Sequence, residues 1–166
     1  MGALRELGFE VKPANAFQRI VQAVGSSRPG AWLFSKTLYQ PDKMLFKVSG
    51  GRMTVPTLVA GLPVVMFTTT GAKTGKRRTM PLLGIPVGED LAVIGSNYGQ
   101  KNTPGWVYNL EADPSATIGY QDRSVEVVAC RADEAETDRI FDLASAVYPG
   151  YTKYRGRADH RVIRVF

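Results

Sequence analysis

The sequence is short of the side chains from which metal and hydrolytic sites are usually built. It has one cysteine, Cys130, and one histidine, His160. A single cysteine forms no internal disulfide, which makes a reducing cytosol the expected setting, and one Cys with one His cannot assemble a zinc site. Carboxylates are scattered, so no metal site is expected. A Ser-His-Asp arrangement finds little support, because Asp159 adjoins His160 and consecutive residues in regular structure point in different directions. His160 therefore reads as a surface residue and Cys130, inside an expected strand, as a small core residue. No G-x-G-x-x-G is present and strands do not alternate with helices, which excludes a dinucleotide fold. The start of the chain, with Arg5, Glu6 and Glu10, has no apolar run of signal-peptide length, so export is not expected. The uncharged stretch 53–72 is broken by Pro56, Gly61 and Pro63 and is rich in threonine, which suits strands and not a membrane helix.

Acid is also missing between Asp42 and Glu89, where Lys43, Lys47, Arg52, Lys73, Lys76, Arg77 and Arg78 all fall. One part of the surface should be distinctly positive and suited to an anionic partner, consistent with the formal charge of +6. A length of 166 residues with 44% hydrophobic content is that of one domain with a sizeable core. It is expected to span 1–166, with a helical N-terminal segment over 1–41.

Phe17, Ile20, Val21 and Val24 recur at helical spacing up to Gly25, and a second short helix is expected after Pro29, carrying Trp32 to Leu38 until Pro41. Beyond it come short β-branched runs at 44–48, 54–60, 64–70, 80–87 and 91–96, separated by glycine and proline. A helix over 104–111, strands over 116–120 and 124–131, and a terminal strand over 162–166 complete the reading. Asp133 followed by Glu136 has capping-box spacing before the stripe Ile140, Leu143, Ala144 and Val147. Successive strands with few helices between them predict an α+β, mainly β, antiparallel barrel with flanking helices, since each parallel pairing needs a long crossover.

Three segments could carry chemistry. The first, Thr68 to Thr79, is a glycine-containing turn with Lys73, Thr74, Lys76, Arg77 and Arg78, whose N–H groups, hydroxyls and cations suit a phosphate or carboxylate. It is not a P-loop, because Gly71 and Gly75-Lys76 are too close and Arg77 replaces the metal-binding hydroxyl. A merely solvated basic hairpin accounts for it equally well. The second, Ser96 to Trp106, leaves a strand and enters a helix, offering small polar groups and helix N–H donors to a polar heterocycle. Taken alone, Trp106 fits a core role better than a ligand wall. The third, Tyr148, Tyr151 and Tyr154, stacks three rings if it turns helically, either as a binding face or as a lid on the core.

Taken in order, these features resemble the deazaflavin-dependent nitroreductase family. The pieces are Gly71-x-Lys73-Thr74-Gly75, Arg78-Thr79-x-Pro81-Leu82, Ser96-Asn97, Pro104-x-Trp106-x-x-Asn109-Leu110, Asp113-Pro114 and Tyr148-Pro149-x-Tyr151-x-x-Tyr154, within 42–166. The resemblance implies a split β-barrel that binds coenzyme F420. Lys73, Thr74, Lys76, Arg77, Arg78, Thr79, Met80 and Pro81 would lie near its phosphate and tail, and Ser96, Asn97, Tyr98, Trp106 and Asn109 around the rest. Tyr148, Tyr151, Tyr154 and Leu83 would line the acceptor side, with Tyr151, Tyr154 or Ser96 assisting proton delivery to a quinone, enone, unsaturated ester or nitroaromatic. Ala72 stands where the family commonly has Arg, and Leu83 where its nitroimidazole-reducing member has an aromatic residue, which counts against nitroimidazole reduction.

Other readings share parts of this pattern. An FMN-dependent oxidoreductase on the same barrel would keep the basic loop, and a non-catalytic basic protein could use Arg19, Arg28, Lys36, Lys43 and Lys47 at a membrane surface. Nucleic acid is the least favoured partner, because the cations lie on a turn and not on a helix or an aromatic sheet face. A monomer or weak dimer is expected, cytoplasmic or peripheral at the inner face of the membrane.

Overall fold

The structure is a computed structural model that describes residues 2–27, 29–30 and 59–166. Two antiparallel sheets make its frame. In the larger, β1 (Val64–Thr70) lies between β2 (Arg77–Leu83) and β5 (Ser115–Tyr120), and β6 (Arg123–Val128) forms the far edge. The smaller pairs β3 (Ile85–Val87) with β4 (Asp90–Ala92). The run expected as one strand over 80–87 is thus two, divided at Gly84. There the chain leaves one sheet for the other, the Gly84 N–H bonds Pro63 O at 2.9 Å, and a Cβ would lie 2.8 Å from Leu91 Cδ1.

The chain after β4 stitches two hydrophobic clusters together. Ala92 and Ile94 join the cluster of Ile85, Phe141, Ala144 and the three tyrosines, whereas Val93 joins that of Phe67, Trp106, Val107 and Leu110. Period-two alternation sends neighbouring side chains to opposite sides. The expected terminal strand survives as one bridge, Ile94 to Val165, with Val93 and Phe166 exchanging both backbone hydrogen bonds.

Five α-helices lie wholly among the described residues. α1 (Ala3–Leu7), which no periodicity announced, ends at Gly8 in the left-handed region and buries Leu7. α2 (Ala16–Ser26) carries a full capping box between Asn15 and Gln18. α3 (Gly105–Ala112) follows Pro104 and packs on β1. α4 (Glu134–Val147) starts where Asp133 accepts from the Glu136 N–H at 2.8 Å, so half of the expected box is present. α5 (Gly150–Arg157) carries Tyr151 and Tyr154 and packs on α2, α4 and the turn at Asn97–Gly99.

Three expectations need correction, and α2 packs in a way its sequence period does not specify. The apolar stripe of α2 faces outward, with Phe17 and Ile20 each 64% exposed and Val24 58% exposed. Its packed side combines Val21, set against the tyrosine cluster, with polar contacts: Gln22 Nε2 donates to Ala60 O at 2.8 Å and Ser26 meets Lys153 and Arg157 of α5. Val59 and Ala60 are helical where a strand over 54–60 was expected. The rest of that run, the run at 44–48 and residues 31–41 of the second helix lie outside the described residues. Cys130 is exposed, since pairing in β6 stops at Val128 and Ala129 N–H turns to Pro114 O. Asp159 lies 3.8 Å from His160 Nδ1 after all, but both side chains are on the surface and form only a solvated pair.

Candidate functional site

The basic turn is a tight hairpin loop, Gly71 to Lys76, between β1 and β2. Gly71 N–H bonds Lys76 O at 2.9 Å, and Gly75 N–H returns to Gly71 O at 2.8 Å. Thr74 Oγ1 accepts from Lys76 N–H at 3.4 Å. Asn109 of α3 clasps the loop from below: its Oδ1 accepts from Ala72 N–H and its Nδ2 donates to Thr69 Oγ1, both at 3.0 Å. The same fork that fixes Asn109 leaves the loop's cations outward. Lys73, Lys76, Arg77 and Arg78 are exposed and form no ion pair among the described residues.

Strand geometry divides the segment after the loop. Arg77, Thr79, Pro81 and Leu83 occupy one face of β2, and Arg78 and Met80 the other, opposite Thr69 and Phe67. Residues 77–81 therefore present their side chains alternately to opposite faces of the sheet. On the first face Arg77 Nη2 donates to Thr117 Oγ1 at 2.7 Å, and Thr68 and Thr79 hydroxyls are 2.8 Å apart. A shallow groove of about 260 Å³ runs here, lined by Thr68, Thr70, Arg77, Ser115 and Thr117, with Glu126 at its edge. The face continues to Leu83, which packs against the cluster holding Tyr148, Tyr151 and Tyr154.

At that end the chain makes a turn through the left-handed region, with φ of 48° at Asn97, 56° at Tyr98 and 75° at Gly99. Only glycine adopts this conformation without cost. Asn97 Nδ2 bonds Asn102 O at 2.9 Å, and the Tyr98 ring meets Tyr154 edge-on at 5.9 Å. Ser96 is 6% exposed, and its hydroxyl forms no hydrogen bond to a described residue. Trp106 is buried edge-on between Phe67 and Phe166, so it is a wall within the core and not an open platform.

The tyrosines divide by what their hydroxyls do. Tyr148 and Tyr154 hydroxyls lie 3.0 Å apart, and Tyr154 also reaches Gly25 O at 3.5 Å. The Tyr151 hydroxyl makes no hydrogen bond to a described residue. Burial pushes all three phenols above the ordinary tyrosine range, so each stays a neutral O–H donor at physiological pH.

Residues 42–166 match the sequence pattern of the F420H(2)-dependent quinone reductases. The chain belongs to that family. It is accordingly an oxidoreductase that depends on the reduced deazaflavin. An F420H(2)-dependent quinone reductase of Mycobacterium tuberculosis, Rv1261c, is 28% identical over 103 residues, covering 60% of this chain and 69% of that protein. A solved F420-H2 dependent reductase is 34% identical, with a TM-score of 0.57 over 63% of this chain and 91% of that one. A structure described as a domain-swapped dimer is 29% identical, with a TM-score of 0.60 over 83% of this chain and 97% of that one.

The residues present fit the cofactor these reductases use. Its phosphodiester and glutamate tail are anionic, and the loop offers exposed cations that pair with no acid among the described residues; its ring is a polar heterocycle, and the Ser96 and Tyr151 hydroxyls bond no described residue. Sequence reasoning missed Asn109's role as a clasp. Its one signal was its position next to Trp106 on a helix, which does not reveal a partner 37 residues away.

Proposed function

We propose that the chain reduces a quinone, with the cofactor lying along one face of β2 from the basic loop to the tyrosine cluster. The observation that carries this reading is the continuity of that face. Arg77, Thr79, Pro81 and Leu83 point the same way over about 20 Å, judged from strand rise, joining a cationic end to an apolar, phenol-bearing end. Lys73, Lys76 and Arg77 hold the anionic tail, with Arg78 reaching from the opposite face, and the threonine hydroxyls between them meet polar groups of the linker. Ser96 and Tyr151 face the ring end.

When bound, the reduced deazaflavin supplies the hydride. The chain's own part is orientation and proton delivery. Tyr151, neutral and buried, donates a hydrogen bond to the quinone oxygen that gains negative charge, and a proton follows from it or from water. Leu83 and the packed rings exclude water from that end and favour a flat apolar acceptor. Enones and unsaturated esters share the required polarity, whereas nothing here favours a nitroimidazole.

Three coarser features join this reading. The two antiparallel sheets are the halves of a split barrel, and the shared stitch at Ala92–Ile94 makes the described parts one unit. The outward stripe of Phe17, Ile20 and Val24, beside Arg19, suits peripheral contact with a bilayer, where lipid quinones reside. No described helix is long and apolar enough to cross one.

Fluorescence titration tests the cofactor assignment. Oxidised deazaflavin should bind at least about tenfold more tightly than FMN, a gap of about 1.4 kcal/mol. Tighter binding of FMN would replace this reading with that of a flavin enzyme.

A further inference from the structure

Arg161 belongs to none of the short motifs on which the family resemblance was read, yet its whole guanidinium is directed at the turn after β4. Nη1 donates to Gly95 O at 3.1 Å, Nη2 to Ser96 O at 2.8 Å and Nε to Gln100 O at 3.3 Å. Three donors thus meet three carbonyls that bracket the left-handed residues. We propose that Arg161 is a positioning residue, fixing the Gly95–Gln100 turn and through it the placement of Ser96 at the ring end of the site. This rests on the reading of Ser96 and its neighbours as the ring-side wall.

The charge pattern around Arg161 separates this role from an ordinary surface ion pair. Glu111, the nearby acid, lies 2.7 Å from Arg164 Nε and 3.8 Å from Arg131 Nη1, and no ion pair of Arg161 occurs among the described residues. Among the described residues this part-buried guanidinium meets carbonyl dipoles and no carboxylate within ion-pair distance. The turn in return needs an external brace. Asn97 and Tyr98 both have positive φ, at about 1–2 kcal/mol each for residues with a Cβ, and such backbone persists where surroundings over-determine it.

The rest of the C-terminal segment supports the same turn. Gly95 N–H bonds Arg164 O at 2.9 Å, His160 Nε2 lies 3.3 Å from Lys101 O, and Arg157 packs against Gly99. These contacts hold its ends. Among the described residues, Arg161 is the side chain that reaches carbonyls on both sides of the left-handed residues. A lysine ammonium is a point donor on a flexible stem and cannot reproduce a planar fork across three acceptors.

The test uses Arg161→Gln and Arg161→Lys, with two readouts on the full chain. The first is amide hydrogen exchange without cofactor. Gly99 and Gln100 amides, which close the turn on Ser96 O and Asn97 O, should exchange faster in both variants, while Gly71, Gly75 and α4 amides keep wild-type protection. The second is turnover of reduced deazaflavin with menadione. The rate should fall roughly tenfold to a hundredfold through misplacement of the ring-side groups, with affinity for oxidised deazaflavin little changed because the loop is untouched. Wild-type exchange at Gly99 and Gln100 in Arg161→Gln would overturn the inference, as would full activity of Arg161→Lys. If the wild-type chain itself shows no deazaflavin turnover, the enzyme reading fails, and the exchange measurement still decides whether Arg161 holds the turn.

Discussion

Gly75, in the hairpin loop, has φ of 64° and nothing within 4 Å of where a Cβ would stand. Gly99, in the turn after β4, has φ of 75°, but a Cβ there would lie 2.8 Å from Arg157 Cβ and 3.2 Å from Tyr154 O. Both glycines permit left-handed backbone, and only the second is walled in. The loop is a set of outward cations on a tight hairpin tied down at Asn109, whereas the turn is packed against α5 and bonded by Arg161. An end that grips a flexible, charged tail needs reach and charge more than shape. An end that sets a hydride's trajectory needs shape above all, because misalignment there acts directly on rate.

Substituting the two glycines is the most direct way to break this comparison. Gly99→Ala combines left-handed strain with a clash against Arg157 Cβ and should destabilise the protein by about 3 kcal/mol, while Gly75→Ala carries the strain alone, about 1 kcal/mol. Thermal melts of both variants check this. Equal losses would mean that the two segments are equally confined. The next effect concerns affinity. Lys73→Ala with Arg78→Ala should weaken deazaflavin binding about a hundredfold, about 2.7 kcal/mol, with little change in the melting temperature, since neither side chain has an ion-pair partner among the described residues. The loss should shrink at high salt, where exposed charges are screened.

The same contrast explains what could be read before the fold was known. The loop announces itself, because its cations and glycines are local in sequence and their chemistry is visible without partners. So does α4, where Asp133 and the stripe from Ile140 give start and period together. The turn does not. Arg161 meets its carbonyl partners across 61 to 66 residues, and a side chain that bonds backbone leaves no complementary residue type to search for. Gly84 was read through as part of a strand because a single glycine looks the same whether it weakens a strand or ends it. For α2 the period gave the helix but not the side it packs on: Gln22 and Ser26 turn inward because they find Ala60 O and the α5 cations there, which no helical wheel contains.

The smallest of the effects on function is the one that assigns chemistry within the packed end. Tyr148 and Tyr154 share a hydrogen bond, so removing either hydroxyl disturbs the other and the Gly25 contact, and loss of rate there would not separate catalysis from packing. Tyr151 escapes that ambiguity, since its hydroxyl bonds no described residue while its ring packs edge-on against Phe141 and Tyr148. Tyr151→Phe keeps the ring and removes only the donor. It should lower quinone turnover on the order of tenfold, less than general acid catalysis commonly supplies because water can take over protonation, with deazaflavin affinity and melting temperature unchanged. Because burial holds the phenol above its ordinary range, wild-type turnover should also stay level as pH rises toward about 10, where an exposed tyrosine would begin to ionise. A fall in rate well below that pH that persists in Tyr151→Phe would show that another group titrates, and would move the proton donor elsewhere in the site, to Ser96 or bound water.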